Sequence, residues 1–448
     1  MYQFSPLLQT VYRACERHPD KTAIIVGQED VSYSQLCSHI QKAASLVCSK
    51  GFKPGDIIQL SAVKALHFIY MLLGAQMVGV IVELMDPELD HEHFHYWPEE
   101  IEDMPPFEGE PVGLKETDVI EIIHTTGTTA KPRLVCLSHF NVFWATKNTS
   151  DAVQNDEEDV EVVGMPICHG FGIRRLYLTL MNGATAVLLP NFANVRLLLN
   201  TMEKYKVTTF GMSPAAWQYI RKISGTRISK FANQLKHIEF GTSPMSFATK
   251  KDLLELLPNT CIFHNYGLTE SNRSTSLDLH DSAHLDSIGK PIADNVQVKV
   301  FDGEICVHGN QTMVGYLDQK DNDNAFVDGF VRTGDCGYVS DDGYVYLTGR
   351  IKDMINVGGK KVSPMEVEEA ICSLGVGDCI CVSHPHEMLG ETVKAYILRG
   401  STNFTFEQID KKMMALWPPY KCPTCYEWID IIPVNSLGKK QRRVLVGK

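Results

Sequence analysis

The stretch Ile122–Arg133, I-I-H-T-T-G-T-T-A-K-P-R, constrains this chain more than any other. A mostly apolar run, Val119–Ile123, leads into it and reads as a buried strand. Past Pro132, Leu134–Leu137 is apolar again. The glycine and the hydroxyls therefore sit in a tight loop between two extended pieces. That loop offers backbone N–H groups, the hydroxyls of Thr125, Thr126, Thr128 and Thr129, and the ammonium of Lys131. Convergent N–H donors form an anion nest, and hydroxyls with a lysine suit phosphate oxygens. Gly127 allows the positive φ or close approach that such a loop needs. Read alone, the same string is also an ordinary polar turn. It is not the G-x-x-x-x-G-K-[ST] phosphate loop, which occurs nowhere in the chain.

With 448 residues there is room for more than one domain. A net charge of −12 disfavours nucleic acid and anionic lipid as partners. The start, M-Y-Q-F-S-P, lacks a basic residue followed by an apolar run, so no signal peptide is expected. The apolar run Phe68–Met85 contains Gln76 and Glu83 and is followed by Pro87, which fits a buried helix and strand better than a membrane span. Thirteen scattered cysteines, an odd number without framework spacing, imply a reduced, cytoplasmic protein. Cys422 and Cys425 have ligand spacing, but without a second pair no zinc site is expected. His91, His93 and His95 alternate in a loop-like segment and read as a solvated cluster.

Strand and helix signals alternate, which implies an α/β sheet. A helix and the strand Thr22–Val26 come first, then a serine-capped helix opening at Val31–Leu36, the strand Ile57–Leu60, and a helix and strand over 65–84. Asp90–Gly113, rich in proline and acid, reads as a surface connection. Helix Ser138–Ser150 and strands Val162–Pro166, Thr185–Leu189, Thr208–Met212 and His237–Phe240 follow. Open sheets bind ligands at such strand ends. Candidate pocket residues there are His169, Phe171, Phe210, Ser213, Phe240, Gly241 and Thr242, mostly apolar or small. On its own, His169 is equally a core histidine after a strand.

Ile262–Glu270 runs from apolar residues to an aromatic, a glycine, a hydroxyl and a carboxylate. Tyr266 can stack on a base, Gly267 can let a ligand approach the backbone, and Thr269 can donate to a phosphate. Glu270 can hold Mg²⁺, which takes few carboxylates and prefers phosphate oxygens alongside. The plainer alternative is a strand end followed by a helix N-terminus with a favourable acid. Asp335, after Arg332-Thr333-Gly334, suits the two donors of a ribose diol, or is a turn aspartate. Asp342-Gly343 signals a hairpin. Ser363 is expected to cap a helix, with Pro364 at its first position and Glu366 closing a capping box.

These phrases also occur in a telling order. H-T-T-G-T-T-A-K-P-R, P-x-x-H-x-x-G (166–172), Y-G-L-T-E (266–270), R-T-G-D (332–335), G-R-I-K-D (349–353), the stretch Ile355–Glu366, P-P-Y-K-C-P (418–423) and S-L-G-K-K-Q-R-R (436–443) resemble the motifs of the adenylate-forming superfamily, of the acyl-CoA and aryl-CoA synthetase type. Ala130 and Arg133 depart from the family's usual glycine and lysine. His264 stands where the family often has asparagine, with Asn265 one residue along.

The resemblance implies a large domain of layered mixed sheets with flanking helices over 1–349, and a small mobile α+β domain over 350–448 pivoting at Lys352. It implies ATP-dependent formation of an acyl-adenylate, release of pyrophosphate, and transfer to a thiol. ATP would be held by Thr125, Thr126, Gly127, Thr128, Thr129, Lys131, Asn265, Tyr266, Gly267, Thr269, Asp335 and Arg350, with Mg²⁺ on Glu270. Lys439, Thr269, Glu270 and His169 would act in catalysis, and Gly358, Gly359 and Lys360 on the thiol side. No acid occurs in His169–Phe171 or Phe240–Thr242 to hold an ammonium, so an α-amino acid is disfavoured and an aliphatic or aromatic carboxylic acid expected. No carrier-protein motif follows Lys439, so the expected acceptor is separate: coenzyme A first, or the pantetheine arm of a free carrier protein. A non-catalytic nucleotide-binding homologue is the alternative of a different class. Oligomeric state is not readable from the residues, and the resemblance implies a homodimer.

Overall fold

The computed structural model describes residues 5–87, 97, 100–109, 112–125, 132–434 and 439–447. Two compact units emerge: Met1–Val298 with Val307–Val331, and Lys299–Cys306 with Arg332–Lys448. This division by packing falls elsewhere than the expected domain boundary at 349/350.

In the first unit, a nine-stranded sheet runs Lys290–Pro291, Asn272–Asp278, Cys261–Leu268, His237–Phe240, Thr209–Met212, Val160–Val163, Thr185–Leu188, Thr22–Val26, Glu29–Ser32. Its six central strands pair in parallel, and antiparallel strands finish both edges. Parallel strands covered on both faces need apolar residues throughout, and T-A-I-I-V and T-A-V-L supply them. A second sheet has the order Gly315–Tyr316, Leu134–Ser138, Val119–His124, Ile81–Met85, Ile57–Ser61. Phe68–Met85 forms a buried helix, Leu66–Met77, and the strand Ile81–Met85, as its interrupted apolarity implies. Among the described residues no helix is long and apolar enough to cross a membrane.

Local signals set the helix starts. Ser32 caps helix Tyr33–Ser49 with a complete capping box to Gln35. Ser138 does the same for His139–Val153 through Asn141. Cys15 and Cys37 are joined by a disulfide that links the first two helices, against the expectation of wholly reduced thiols; the other eleven cysteines are free.

The second unit contains a sheet ordered Lys360–Val362, Ile355–Val357, Gly390–Leu398, Cys379–His386, with Cys425–Ile429 pairing Gly390–Leu398 in parallel. Helices Pro364–Ser373 and Phe406–Leu416 bury Val367, Ile371, Ile409 and Met413 against it. Ser363 caps the first of these helices, but Glu366 does not close a box: its carboxylate accepts from Lys421 at 2.5 Å instead. The hairpin expected at Asp342-Gly343 joins Phe330–Val339 to Val345–Arg350. Asp335 therefore lies inside a ten-residue strand, not after one.

Candidate functional site

Strand Val160–Val163 sits between Thr185–Leu188 and Thr209–Met212, so the chain first builds the sheet one way and then the other. Such a switch point opens a crevice beyond the carboxyl ends of the strands. His169 follows Val160–Val163 and N-caps helix Gly170–Asn182. Ser213 follows Thr209–Met212 and caps Pro214–Ser224, its Oγ accepting from Ala216 N–H at 3.2 Å. Gly241 and Thr242 follow His237–Phe240, and Thr242 takes a φ of 73°.

The pocket candidates divide between two faces of this sheet. A Cβ on Gly241 would lie 2.6 Å from the Phe171 ring, and one on Gly211 would lie 3.1 Å from it. The Arg273 guanidinium covers the same ring at 4.2 Å from its centroid. The two strand glycines thus make room for Phe171. Phe210 and Phe240 alternate with Gly211 and Gly241, so they point to the opposite face. There they are wholly buried against Phe192 and Trp217, as core residues. Close to His169, its own ligand atom and those of Asp86 and Cys168 lie within 4.8 Å of one another. Cys422 and Cys425 form no such group among the described residues.

Thr125 and Arg133 close the neck of the hydroxyl-rich loop. Thr125 N–H donates to Arg133 O at 2.9 Å, and Arg133 N–H donates to Thr125 Oγ1 at 3.0 Å. Thr126, Gly127, Thr128, Thr129 and Lys131 lie outside the described residues, as do His91, His93 and His95. At the neck, the Arg133 guanidinium donates to Glu270 Oε1 at 3.0 Å and lies 4.2 Å above the Tyr316 ring. Tyr316 OH donates to the same oxygen at 2.7 Å. Burial, then the neighbouring carboxylate, pushes the Tyr316 pKa up, so this hydroxyl stays a donor. Two motifs 137 residues apart in sequence therefore meet. Both bonds fall on Oε1, and the other carboxylate oxygen could hold Mg²⁺, which takes few carboxylates.

Glu270 and Thr269 occupy the turn between antiparallel strands Cys261–Leu268 and Asn272–Asp278, not a helix N-terminus. The glycine of Tyr-Gly also has a different cause from the one its motif implies. The ladder carries an irregularity between Tyr266 and Gly267, and a Cβ on Gly267 would fall 1.7 Å from Asn272 O. The hairpin itself excludes a side chain there. Tyr266 and Thr269 are partly exposed. Asn265 is buried and donates its amide to Glu239 at 2.9 Å. Next to it, His264 is buried with Nε2 3.1 Å from Ser243 O. Burial, and secondarily the Lys250 charge, lowers its pKa to about 4, so the imidazole is neutral near pH 7.

Beneath these groups runs a buried ionic network. Arg174 pairs with Glu121 of the smaller sheet, which also accepts from Tyr177 OH. Arg175 pairs with Glu161 and Glu239 of the larger sheet. Arg273 shares Glu239 and donates to the carbonyls of Gly170 and Phe171 at 3.1 and 3.0 Å. These pairs fix the N-terminus of helix Gly170–Asn182, where His169 and Phe171 sit.

In the second unit Arg350 Nε donates to Asp335 Oδ1 at 2.6 Å, and the two residues face each other across the hairpin. Lys352 is exposed in a short 3-10 turn, Ile351–Asp353. Gly358 and Gly359, with φ of 57° and 87°, form the two-residue turn between Val357 and Lys360, a geometry that favours glycine at both places. Lys360 Nζ lies over the ring of Tyr420, from the P-P-Y-K-C-P phrase, at 4.3 Å. Lys439 is partly buried and adjoins Lys440, which bridges to Val434.

A model of a family described as AMP-binding enzyme matches residues 11–104 and 90–317, well over half of the chain. The chain belongs to the AMP-binding enzyme family. Among curated relatives, a fatty acid–[acyl-carrier-protein] ligase from Streptomyces coeruleorubidus is 27% identical over 99% of this chain and 96% of its own length. An oxalate–CoA ligase from Arabidopsis thaliana is 25% identical over 98% and 97%. A 2-succinylbenzoate–CoA ligase from Bacillus licheniformis is 24% identical over 96% and 97%. ATP-bound MatB from Rhodopseudomonas palustris superposes with a TM-score of 0.90 at 21% identity, covering 99% of this chain and 98% of MatB. MenE from Bacillus subtilis in complex with its acyl-adenylate intermediate gives 0.85 at 20%, covering 98% of each. The resemblance drawn from the motifs holds, and with it the expected class: an ATP-dependent acid–thiol ligase acting through an acyl-adenylate.

In this AMP-binding enzyme the motifs did not disclose Tyr316, Glu239, Arg273 or the Arg174-Arg175 doublet. A signal for the last exists. Glu121, Glu161 and Glu239 are each the single acid of a mostly apolar strand, and Arg174-Arg175 stands inside a mostly apolar helix. Buried carboxylates require buried cations.

Proposed function

We propose that this enzyme activates a monocarboxylic acid with an aliphatic or aromatic tail and transfers the acyl group to coenzyme A. The single observation that carries the reading is the junction of Thr125, Arg133, Glu270 and Tyr316, which joins the neck of the loop to a carboxylate suited to Mg²⁺. A carboxylate oxygen attacks the α-phosphorus of ATP, and the bond to pyrophosphate breaks. The thiol of coenzyme A then attacks the acyl carbon, and AMP leaves. Both partners in the first step are anions, so fixed cations and N–H donors must offset their repulsion. The threonines of the loop with Lys131 serve the phosphates, Thr269 donates to the α-phosphate, and Lys439 supplies an ammonium to the developing charge. Bound at Glu270, Mg²⁺ would neutralise phosphate oxygens. Asp335 and Arg350 serve the ribose, and Tyr266 stacks on the base. Lys352 is the pivot between the two half-reactions, and Gly358–Lys360 serve the second.

Phe171 and His169 form the acid pocket. Arg273, the guanidinium against Phe171, is already matched by Glu239 and two carbonyls, which leaves little for a second carboxylate and supports a monocarboxylic substrate. The Streptomyces relative, named for an acyl-carrier-protein acceptor, supports a second reading in which a carrier's pantetheine arm takes the acyl group. ATP–pyrophosphate exchange over a panel of acids tests the first step. Exchange with an apolar acid, lost in Lys439→Ala, is the expected result; no exchange with any acid refutes it. Thioester formation with coenzyme A or a loaded carrier protein decides the acceptor.

A further inference from the structure

The residue that follows the proposed catalytic lysine is itself a lysine, and its ammonium is turned inward. Lys440 Nζ donates to Asp378 Oδ1 at 2.9 Å, Glu368 Oε2 at 3.2 Å and Cys379 O at 2.5 Å. Two residues on, Arg442 Nη2 donates to both oxygens of Glu368 at 3.0 Å. Glu368 is only 5% exposed, and its Oε1 also accepts from Cys381 N–H at 2.7 Å. One buried carboxylate on helix Pro364–Ser373 thus binds the tail from two sides. Backbone contacts reinforce it: Val434 bridges to Lys440, and Gln441 N–H donates to Pro433 O at 2.8 Å. Further on, Leu445 is buried with Ile380, Val382, Tyr396 and Ile432. Arg442 also lies 3.9 Å from Asp353, the neighbour of the proposed pivot Lys352.

We infer that Glu368 is a positioning residue for Lys439: by seating Lys440 and Arg442 it fixes the tail on its own unit and sets where the catalytic ammonium points. Lys439 is the immediate neighbour of this anchor, so seating Lys440 fixes the backbone from which its side chain leaves. A compact ammonium seated by three oxygens cannot turn without losing all of them. Lys439 therefore moves with the unit as a whole and not as a loose tail. This inference rests on the proposed adenylation for its catalytic half, while the anchoring half stands on contacts alone.

The test uses the full-length chain and two variants, Glu368→Gln and Lys440→Met. Hydrogen exchange of the peptide spanning 434–447 reads the anchor. Pyrophosphate exchange reads the step that needs Lys439. Thioester formation from a supplied synthetic acyl-adenylate reads the step that does not. The expected result is tail exchange at least tenfold faster, pyrophosphate exchange slower by about ten- to a hundredfold, and thioester formation within twofold of the parent; a charged hydrogen bond is worth a factor of that size. Equal losses in both half-reactions would mark a merely structural role and overturn the proposal, as would an unchanged tail. Should Glu368→Gln unfold the unit, Lys440→Met decides, because it leaves Glu368 paired with Arg442. Absence of pyrophosphate exchange in the parent overturns the adenylation reading and the catalytic half with it, and the tail's hydrogen exchange still decides the anchor.

Discussion

Replacing Glu270 by glutamine and, separately, by alanine divides its packing role from its proposed metal role. The Glu270 side chain is 9% exposed, whereas Arg133 is 41% exposed, so their ion pair is screened and contributes at most about 1 kcal/mol. Glutamine keeps an acceptor for Tyr316 OH and loses mainly the charge, so it should cost about 1–2 kcal/mol of stability. Alanine leaves the buried Tyr316 hydroxyl without its acceptor as well, and should cost about 3–4 kcal/mol. Urea unfolding measures both. Activity should follow another order. If Oε2 holds Mg²⁺, either change removes the ligand, and pyrophosphate exchange should fall about 10²- to 10³-fold in both variants. The Mg²⁺ concentration needed for half-maximal rate should rise. Activity loss that grows from glutamine to alanine in step with the stability loss would refute the metal assignment, as would exchange within threefold of the parent at unchanged Mg²⁺ dependence.

Other perturbations follow from the same geometry. Gly267→Ala puts a Cβ 1.7 Å from Asn272 O, which forces the hairpin apart and should cost about 3 kcal/mol or more, seen as a lowered urea midpoint. His264 titrates near 6.5 when unfolded and at about 4 in the fold, so the unfolded state binds the extra proton between those values. Its contribution is complete above pH 6.5 and is lost as pH falls to about 4, a total of about 3 kcal/mol; the difference in stability between parent and His264→Asn should shrink accordingly across that window. Glu239→Gln leaves Arg175 and Arg273 short of a buried carboxylate and should cost about 3–5 kcal/mol by denaturant unfolding.

Strands with strong local signals were legible from the residues alone. Thr22–Val26 and His237–Phe240 form as read, bounded by polar or glycine-containing turns that punctuate the chain. Caps are equally local: the serine expected in Val31–Leu36 is Ser32, and it and Ser363 accept the expected backbone N–H, as does Ser138, which was not read as a cap. Misreadings arose where a distant partner decides. Glu366 stands at the capping-box position, yet Lys421, 55 residues on, takes its carboxylate. Asp335 was also readable as a turn aspartate, but pairing with Arg350 places it inside the strand. Gly267 was read for ligand approach alone, and the demand of the bulge for glycine was out of reach, because it depends on what pairs with it. Phe210 and Phe240 were read from their place near strand ends. Their alternation with Gly211 and Gly241 was the available sign that they face the other way.

Helix Gly170–Asn182 hands Arg174 to one sheet and Arg175 to the other. A shift of the helix by one residue would present each guanidinium to the wrong acid, and neither carboxylate could follow. The wall carrying His169 and Phe171 is consequently indexed like a key in two locks. If His169 and Phe171 line the acid pocket as proposed, acid preference changes by swapping side chains at that end of the helix and at Gly211 and Gly241, which admit the ring. The two ion pairs oppose sliding or tilting of the helix, so on the proposed pocket a designer seeking a larger acid should begin at position 171.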